Sequence, residues 1–237
     1  MKYLNFLCLM INLWGSKFKI MEVNSLEVSV ETWGDLACFS PPYAKVERMT
    51  YPFPTPSAAR GILSAIYSKP VEFYWQITRI EVLNPICYIS FKRNEVKCTV
   101  SKDPIFTDDE RTQRQTVALR DVRYRIFAEI VPRKNFSGTA AQLYDQALRR
   151  IRSGKCFYQP SFGCREFVAY FEESDGLRPP ITENLDAGLM VYDIFDLHDY
   201  SVQKKPKPSL SLFHAVMENG VIRIPQYDSP EVIRGGE

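Results

Sequence analysis

The sequence predicts an α+β fold built on a split βαβ, ferredoxin-like sheet. Two observations support this prediction. Segments with strand patterns and two segments with apolar residues at three- and four-residue spacing follow one another in the order strand, helix, strand, polar insertion, strand, helix, strand. The chain has 237 residues, of which 45% are hydrophobic and 24% charged, as is typical of a globular protein that buries a sizeable core.

The N-terminal 21 residues differ from the rest of the chain. Residues 1–21 carry Lys2 followed by an apolar run, which superficially resembles a signal peptide. No small-residue cleavage site follows, and the run is too short to span a bilayer. We expect an accessory N-terminal peptide, with an extra helix or strand as the alternative. The remainder divides into a predicted ferredoxin-like domain over 22–155 and a predicted C-terminal β domain over 156–237.

The first strand and the first helix follow from local patterns. Residues 26–32 alternate apolar and polar side chains, as a half-buried strand does, and Trp33-Gly34-Asp35 is expected to break that strand. Thr55 followed by Pro56 is a helix start signal. The helix is expected to carry one apolar stripe and to end at Lys69-Pro70.

The middle of the chain predicts strands around a polar insertion. β-Branched and aromatic residues dominate 73–80 and 81–91, with Pro85 as an expected interruption, and 124–131 is a further strand. Residues 92–120 between them have little apolar periodicity. Such an insertion is either a flexible loop or a projecting hairpin.

A second helix and the last strands complete the prediction. Thr139 to Arg152 has an apolar stripe that includes Leu143 and is closed by Ser153-Gly154. Later strands are predicted from the apolar and β-branched residues that follow, and Asn219-Gly220 is a hairpin signal within the last of them. These strands cover 166–171, 189–195 and 210–224.

The net charge of +2 is unevenly distributed. Residues 111–155 hold 11 basic against 3 acidic residues, whereas residues 156–237 hold 7 against 13. A basic middle segment favours an anionic partner, with nucleic acid as the first candidate and a merely solvated basic face as the alternative. Binding to such a partner is expected to weaken steeply with salt.

Cysteine and histidine usage argues against metal and disulfide chemistry. The six cysteines form no CxxC pair, and the chain has only two histidines, His198 and His214. Zinc-ligand spacing is therefore absent, and a disulfide framework is not expected at this length. We expect reduced thiols, a cytoplasmic protein, no membrane association, and neither a metal nor another cofactor.

Five blocks, in order along the chain, resemble the type I-C form of the fifth CRISPR-associated Cas family. They are WGDLACF (33–39), KVERMTYPFPTPSAARGILSAIYSKP (45–70), KRNEV (92–96), QPSFGCREF (159–167) and AVMENGV (215–221). The resemblance implies an RNA-recognition-type N-terminal domain with a projecting β-thumb and a small C-terminal antiparallel sheet domain. It also implies binding of CRISPR repeat RNA, metal-independent cleavage of the precursor, and residence at the guide's 5′ end in a surveillance complex with a backbone and a large subunit.

The resemblance also points to catalytic positions. Tyr67 matches a helix tyrosine that pairs, in many members of the family, with a Lys-His dipeptide. Counting back from Gly154 places that dipeptide on Gln142 and Leu143, neither of which titrates near neutrality. Tyr67 is therefore the catalytic candidate, with a packing or stacking role as the alternative. Missing groups would come from Lys134, Lys155 or Arg165.

Three functional hypotheses follow, namely a repeat-specific endoribonuclease, a non-cleaving guide-RNA-binding subunit of the same complex, and a structural subunit unrelated to RNA. The candidate RNA-binding residues are the cations, with one amide, in and beside these blocks and the polar insertion. They are Lys45, Arg48, Arg60, Lys69, Lys92, Arg93, Asn94, Arg111, Arg114, Arg120, Lys155 and Arg165.

Overall fold

The computed structural model describes residues 26–44, 46–97, 106, 108, 110–199 and 208–235. The predicted accessory peptide over 1–21 and the RNA-binding candidate Lys45 lie outside these ranges. The helices are α1 (Pro56–Ile66) and α2 (Ala140–Arg152). The strands are β1 (Glu27–Ala37), β2 (Phe73–Val82), β3 (Cys87–Val96), β4 (Arg111–Pro132), β5 (Tyr170–Glu173), β6 (Leu185–Phe195), β7 (Pro208–Glu218), β8 (Val221–Arg223) and β9 (Ile233–Arg234).

The strands form one antiparallel sheet in the order β5-β1-β4-β2-β8-β7-β6, with β3 added to β4 and β9 added to β7. β1 and β2 lie on either side of β4 and are both antiparallel to it, so they run parallel to each other. α1 connects these two strands. β4 and β5 flank β1 in the same way, and α2 connects them. The α+β class is confirmed by this mostly antiparallel sheet with two helices.

α1 begins where the sequence predicts and ends one turn earlier. The Thr55 hydroxyl accepts a hydrogen bond from the Ala58 N–H at 3.1 Å, and Pro56 is the first helical residue. The helix ends at Ile66, because Tyr67 takes an extended conformation (φ −147°, ψ 121°). The Tyr67 carbonyl then accepts a hydrogen bond from the Trp75 indole at 2.8 Å.

α2 matches its prediction. The Thr139 side chain and the Gln142 side chain each bond to the other residue's backbone N–H, which forms a capping box. The buried stripe consists of Leu143, Ala147 and Ile151. The helix ends at Arg152, and Gly154 follows in the left-handed conformation (φ +63°).

β1 runs through the Trp33-Gly34-Asp35 segment, so the predicted break there is wrong. The strand pairs with β4 on one side and β5 on the other, and these ladders hold it extended. Gly34 is required by packing instead, because a Cβ there would lie 2.4 Å from the Val168 carbonyl oxygen.

The polar insertion contains a hairpin. Pro85 separates β2 from β3, as predicted, and β3 pairs with the first half of β4 in a register that places Lys92 opposite Gln115. The predicted strand over 124–131 is the second half of β4. One 22-residue strand therefore belongs to both the hairpin and the main sheet.

The C-terminal strands are joined to the main sheet. Asn219 (φ +49°) and Gly220 (φ +73°) form the turn between β7 and β8, which confirms the predicted hairpin. β8 pairs with β2. The strand predicted over 166–171 occurs at Tyr170–Glu173 instead. No helix in the described part of the chain is long and apolar enough to cross a membrane.

Candidate nucleic-acid interface

Tyr67 lies at the C-terminal end of α1 with its side chain almost fully enclosed (3% exposed). Its ring stacks on Phe73 with a centroid separation of 5.3 Å, and its hydroxyl donates a hydrogen bond to Gln146 Oε1 at 2.8 Å. Burial raises the pKa of the hydroxyl, an effect that nearby Lys69 opposes. A hydroxyl with a raised pKa is a poor general base near neutral pH.

The two positions that correspond to the Lys-His pair do not face the Tyr67 hydroxyl. Leu143 is 1% exposed in the core, and the Gln142 side chain is used in the capping box of α2. The α2 residue that meets the hydroxyl is Gln146. The sequence did carry the signal for Leu143, because it belongs to the apolar stripe of its helix.

The C-terminal end of α2 is tied to α1 by an arginine. Arg150 Nε donates to the Ile66 carbonyl at 2.7 Å, and its guanidinium lies 4.1 Å from the centre of the Phe157 ring. The Arg150 side chain therefore satisfies a carbonyl at the end of α1. Phe157 and Tyr158 are both largely exposed. Exposed aromatic side chains next to cations suit base stacking.

Arg60 has a structural contact instead of an exposed one. Its guanidinium forms two hydrogen bonds with the Asp193 carboxylate, at 2.7 and 2.9 Å, and the Asp193 side chain is only 2% exposed. The pair joins α1 to β6. The prediction that Arg60 binds RNA did not anticipate this partner, which lies far away in the sequence.

Three more predicted RNA-binding arginines are paired with glutamates at the base of the hairpin. Arg48 lies 3.2 Å from Glu166, which also contacts Arg93. Arg114 lies 3.2 Å from Glu95. Partial burial acts to raise the pKa of Glu166, but the contact with Arg93 and the nearby charge of Arg48 outweigh it and lower the pKa. These arginines form a compensated cluster whose positive charge is partly neutralised.

The hairpin carries the remaining candidates on two faces. Directly paired residues of an antiparallel ladder point to the same side, and the register places Lys92, Asn94 and Arg111 on one face. Arg93, Arg114 and Arg120 are on the other. Lys92, Asn94, Arg111 and Arg120 are exposed. The structure thus divides the candidates on the hairpin between two surfaces.

A groove of about 560 Å³ lies between α1 and the loop after α2. Its walls include Gly61, Tyr158, Gly163 and Arg165. Gly163 adopts φ +80°, and a Cβ there would lie 1.9 Å from the Cys38 carbonyl oxygen, so the loop approaches β1 this closely only with glycine. Arg165 and Lys155 are exposed near the groove and the α2 end, whereas Lys69 contacts Glu72 at 3.0 Å.

Two thiols interact at this loop, Cys164 within it and Cys38 just after β1. The four described cysteines, Cys38, Cys87, Cys156 and Cys164, are not in disulfides. A hydrogen bond from Cys164 lowers the pKa of Cys38 to about 6, against the effect of burial, and raises the pKa of Cys164. Within the described ranges, no three His, Cys, Asp or Glu side chains are grouped so as to hold a metal ion.

Comparison with known proteins places the chain in a family. The family model for Cas5d, described as CRISPR-associated protein (Cas_Cas5), matches residues 28–225. A protein of Thermus thermophilus named CRISPR pre-crRNA endoribonuclease Cas5d is 38% identical over 218 residues, which cover 87% of this chain and 95% of that protein. A protein of the same name from Mannheimia succiniciproducens is 36% identical over 230 residues, covering 87% and 98%.

Solved structures share the fold. A crystal structure of a CRISPR-associated protein superposes with a TM-score of 0.62 at 23% identity, covering 87% of this chain and 95% of the other. A functionally uncharacterized protein from Streptococcus mutans superposes with a TM-score of 0.60 at 23% identity, covering 87% and 96%. The family match over most of the sequence and two relatives above 35% identity lead to one conclusion: the chain belongs to the Cas5d family of CRISPR-associated proteins.

Proposed function

We propose that this protein binds the repeat of CRISPR precursor RNA and cleaves it without a metal ion. The observation that carries the proposal is the 36–38% identity, over most of the chain, to two proteins named as pre-crRNA endoribonucleases. Metal-free cleavage needs a base that removes the 2′-hydroxyl proton, cations around the phosphorane, and an acid for the 5′-oxygen. The cation-rich surfaces around the hairpin and α2 suit the second requirement.

We propose that β1, α1, β2, β4, α2 and β5 form the ferredoxin-like, RNA-recognition-type unit. The support is that each helix connects two parallel strands with one antiparallel strand between them. The β3–β4 hairpin is the proposed thumb, and β6 to β9 make up the small C-terminal antiparallel part, within the predicted 156–237 region. This division places β5, which follows residue 155, with the N-terminal unit.

The proposed RNA surface combines the exposed hairpin residues with the groove beside α1. Lys92, Asn94 and Arg111 would contact phosphates along one hairpin face, and Arg165 and Lys155 would do so beside the groove. Tyr158 offers an exposed ring for an unpaired base. We further propose that the protein is cytoplasmic and holds the 5′ handle of the guide RNA in a type I-C complex with a backbone and a large subunit.

The first prediction is that purified protein cuts labelled repeat RNA in EDTA and leaves a 2′,3′-cyclic phosphate. The physical reason is that the nucleophile is the ribose 2′-hydroxyl, which needs proton transfer and charge stabilisation but no metal-bound water. Product mapping on a denaturing gel measures the outcome. The matched control is the same repeat with 2′-deoxyribose throughout, which should bind and stay uncut. Cleavage that requires added Mg²⁺ would contradict the proposal.

A second candidate function is favoured by the absence of the Lys-His pair. A protein without those side chains could bind the repeat and hold the guide without cutting it. Phosphate contacts are spread over many cations, whereas proton transfer needs a few groups within hydrogen-bond reach. Retained, salt-sensitive RNA binding with no product in EDTA would identify this non-cleaving subunit.

The second prediction concerns Tyr67, whose catalytic role remains a prediction. We propose that its buried hydroxyl positions α2 through Gln146, and that it does not transfer a proton. Tyr67→Phe should then cost about 1 kcal/mol of unfolding free energy and slow cleavage less than tenfold. Urea denaturation and single-turnover cleavage measure the two effects. A loss of 10²-fold or more in rate with unchanged stability would instead show that Tyr67 acts in the chemistry.

A further inference from the structure

A second groove, of about 720 Å³, lies at the start of β2. It combines an imidazole, a carboxylate, a phenol and cations, and no sequence pattern brings these groups together. Its walls include Tyr74, Arg133, Lys134, His198 and Asp228. Arg133 Nε donates to the Pro70 carbonyl at 2.7 Å, which ties the groove to the segment that follows Tyr67.

His198 and Asp228 form a dyad in this groove. Nε2 of His198 lies 2.9 Å from Oδ1 of Asp228, and Arg234 Nη2 lies 2.9 Å from the same oxygen. The hydrogen bond with His198, helped by Arg234, holds the pKa of Asp228 below its usual value. An ionised carboxylate accepts the Nε2–H, so a neutral imidazole keeps its lone pair on Nδ1.

Two phenols, two cations and a second carboxyl surround the imidazole. Tyr74 meets it edge to face at 5.9 Å and Tyr227 lies at 5.2 Å, and burial raises the pKa of both phenols. Arg133 Nη1 donates to the His198 carbonyl at 3.4 Å, and Lys134 lines the same groove. The nearby carboxyl Asp196 accepts hydrogen bonds from the Tyr227 hydroxyl and the His198 backbone N–H.

We propose that His198, oriented by Asp228, is the general base for RNA cleavage and supplies the proton acceptor that Tyr67 and the Gln142-Leu143 positions do not. The inference rests on the proposed endoribonuclease function and names the groups that perform it. Nδ1 takes the 2′-hydroxyl proton, and the 2′-oxygen attacks phosphorus. The bond to the 5′-oxygen breaks, and the Lys134 ammonium donates a proton to that oxygen. The products are a 2′,3′-cyclic phosphate and a 5′-hydroxyl.

The chain provides a matched control for this residue. His214 is also exposed and also lies 2.9 Å from a carboxylate oxygen, that of Asp186. It lies on β7 opposite Leu189, and the neighbouring groove has the acidic residues Asp186 and Glu218 in its walls and no cation. Each histidine thus has its own carboxylate partner. Only the groove at His198 also has cations in its walls that could hold a phosphate.

The test compares His198→Gln with His214→Gln in single-turnover cleavage of repeat RNA in EDTA. His198→Gln should slow cleavage by about 10²- to 10⁴-fold with unchanged RNA affinity, and His214→Gln should cut like the wild type. Equal rates for the two variants would overturn the inference.

A second measurement uses the wild-type protein, so that the test does not depend on whether His198→Gln folds. Addition of the uncut 2′-deoxy repeat to wild-type protein should shift the imidazole NMR signals of His198 and leave those of His214 in place. Unshifted His198 signals in the bound state would overturn the assignment of His198 as the base but leave the proposed function standing. A wild-type protein that binds the repeat and never cuts it would overturn the proposed function, and the assignment of a base with it.

Discussion

Arg125→Ala is expected to lower the free energy of unfolding by about 3 to 5 kcal/mol. Arg125 is buried in β4, directly opposite Glu31 of β1 and Glu81 of β2 in the strand register. Its guanidinium donates to Glu81 at 2.7 Å, lies 3.5 Å from Glu31, and donates to the Arg178 carbonyl at 2.8 Å. Truncation removes the cation that the two buried carboxylates share, although Glu31 keeps its contact with Arg123 and Glu81 keeps Arg79 at 3.2 Å. The reduced compensation of this buried charge is the source of the cost.

Urea denaturation followed by circular dichroism measures this loss. The matched control is Arg120→Ala on the same strand, because Arg120 is exposed and has no ion pair with any residue in the described ranges. That variant should stay within about 0.5 kcal/mol of the wild type. Equal midpoints for the two variants would show that the three-strand ion pair contributes nothing to stability.

Arg60→Ala should cost about 3 kcal/mol, toward the low end for a broken buried ion pair because Arg60 itself is partly exposed. Asp193 would remain buried, with its Oδ1 held by the Ile194 N–H at 2.8 Å and no guanidinium opposite. The contact links α1 to β6. The variant should therefore loosen the attachment of the C-terminal strands to the helix.

The comparison with Arg165→Ala separates stability from RNA binding, because both arginines were predicted to bind RNA. Arg165 is exposed beside the groove next to α1. Arg165→Ala should keep wild-type stability. It should reduce the slope of log RNA affinity against log salt by at most the contribution of one phosphate contact. Folded Arg60→Ala should keep the wild-type slope. A weaker salt dependence of RNA affinity with unchanged stability in Arg60→Ala would instead show that Arg60 contacts RNA.

The sequence alone determined the local elements and the family. The Thr55-Pro56 and Thr139-to-Gln142 start signals, and the Asn219-Gly220 turn, act through hydrogen bonds and backbone preferences within a few residues, so they can be read without the fold. The family could also be identified from the sequence blocks, and the family model matches residues 28–225, which contain them. The uninterrupted β1 and the early end of α1 could not be read locally, since ladders and contacts with distant residues decide them.

The tertiary structure decided which charged residues remain available for a partner. Arg60, Arg48 and Arg93 look alike in sequence, and each meets a carboxylate more than seventy positions away. A count of charges along the sequence does not distinguish paired cations from exposed ones. In the fold these three arginines form ion pairs, whereas other cations on the hairpin are exposed. The fold likewise brings His198 to Asp228 in a groove that Lys134 also lines. Ion pairs and dyads depend on distances across strands, which residue spacing along the chain does not encode.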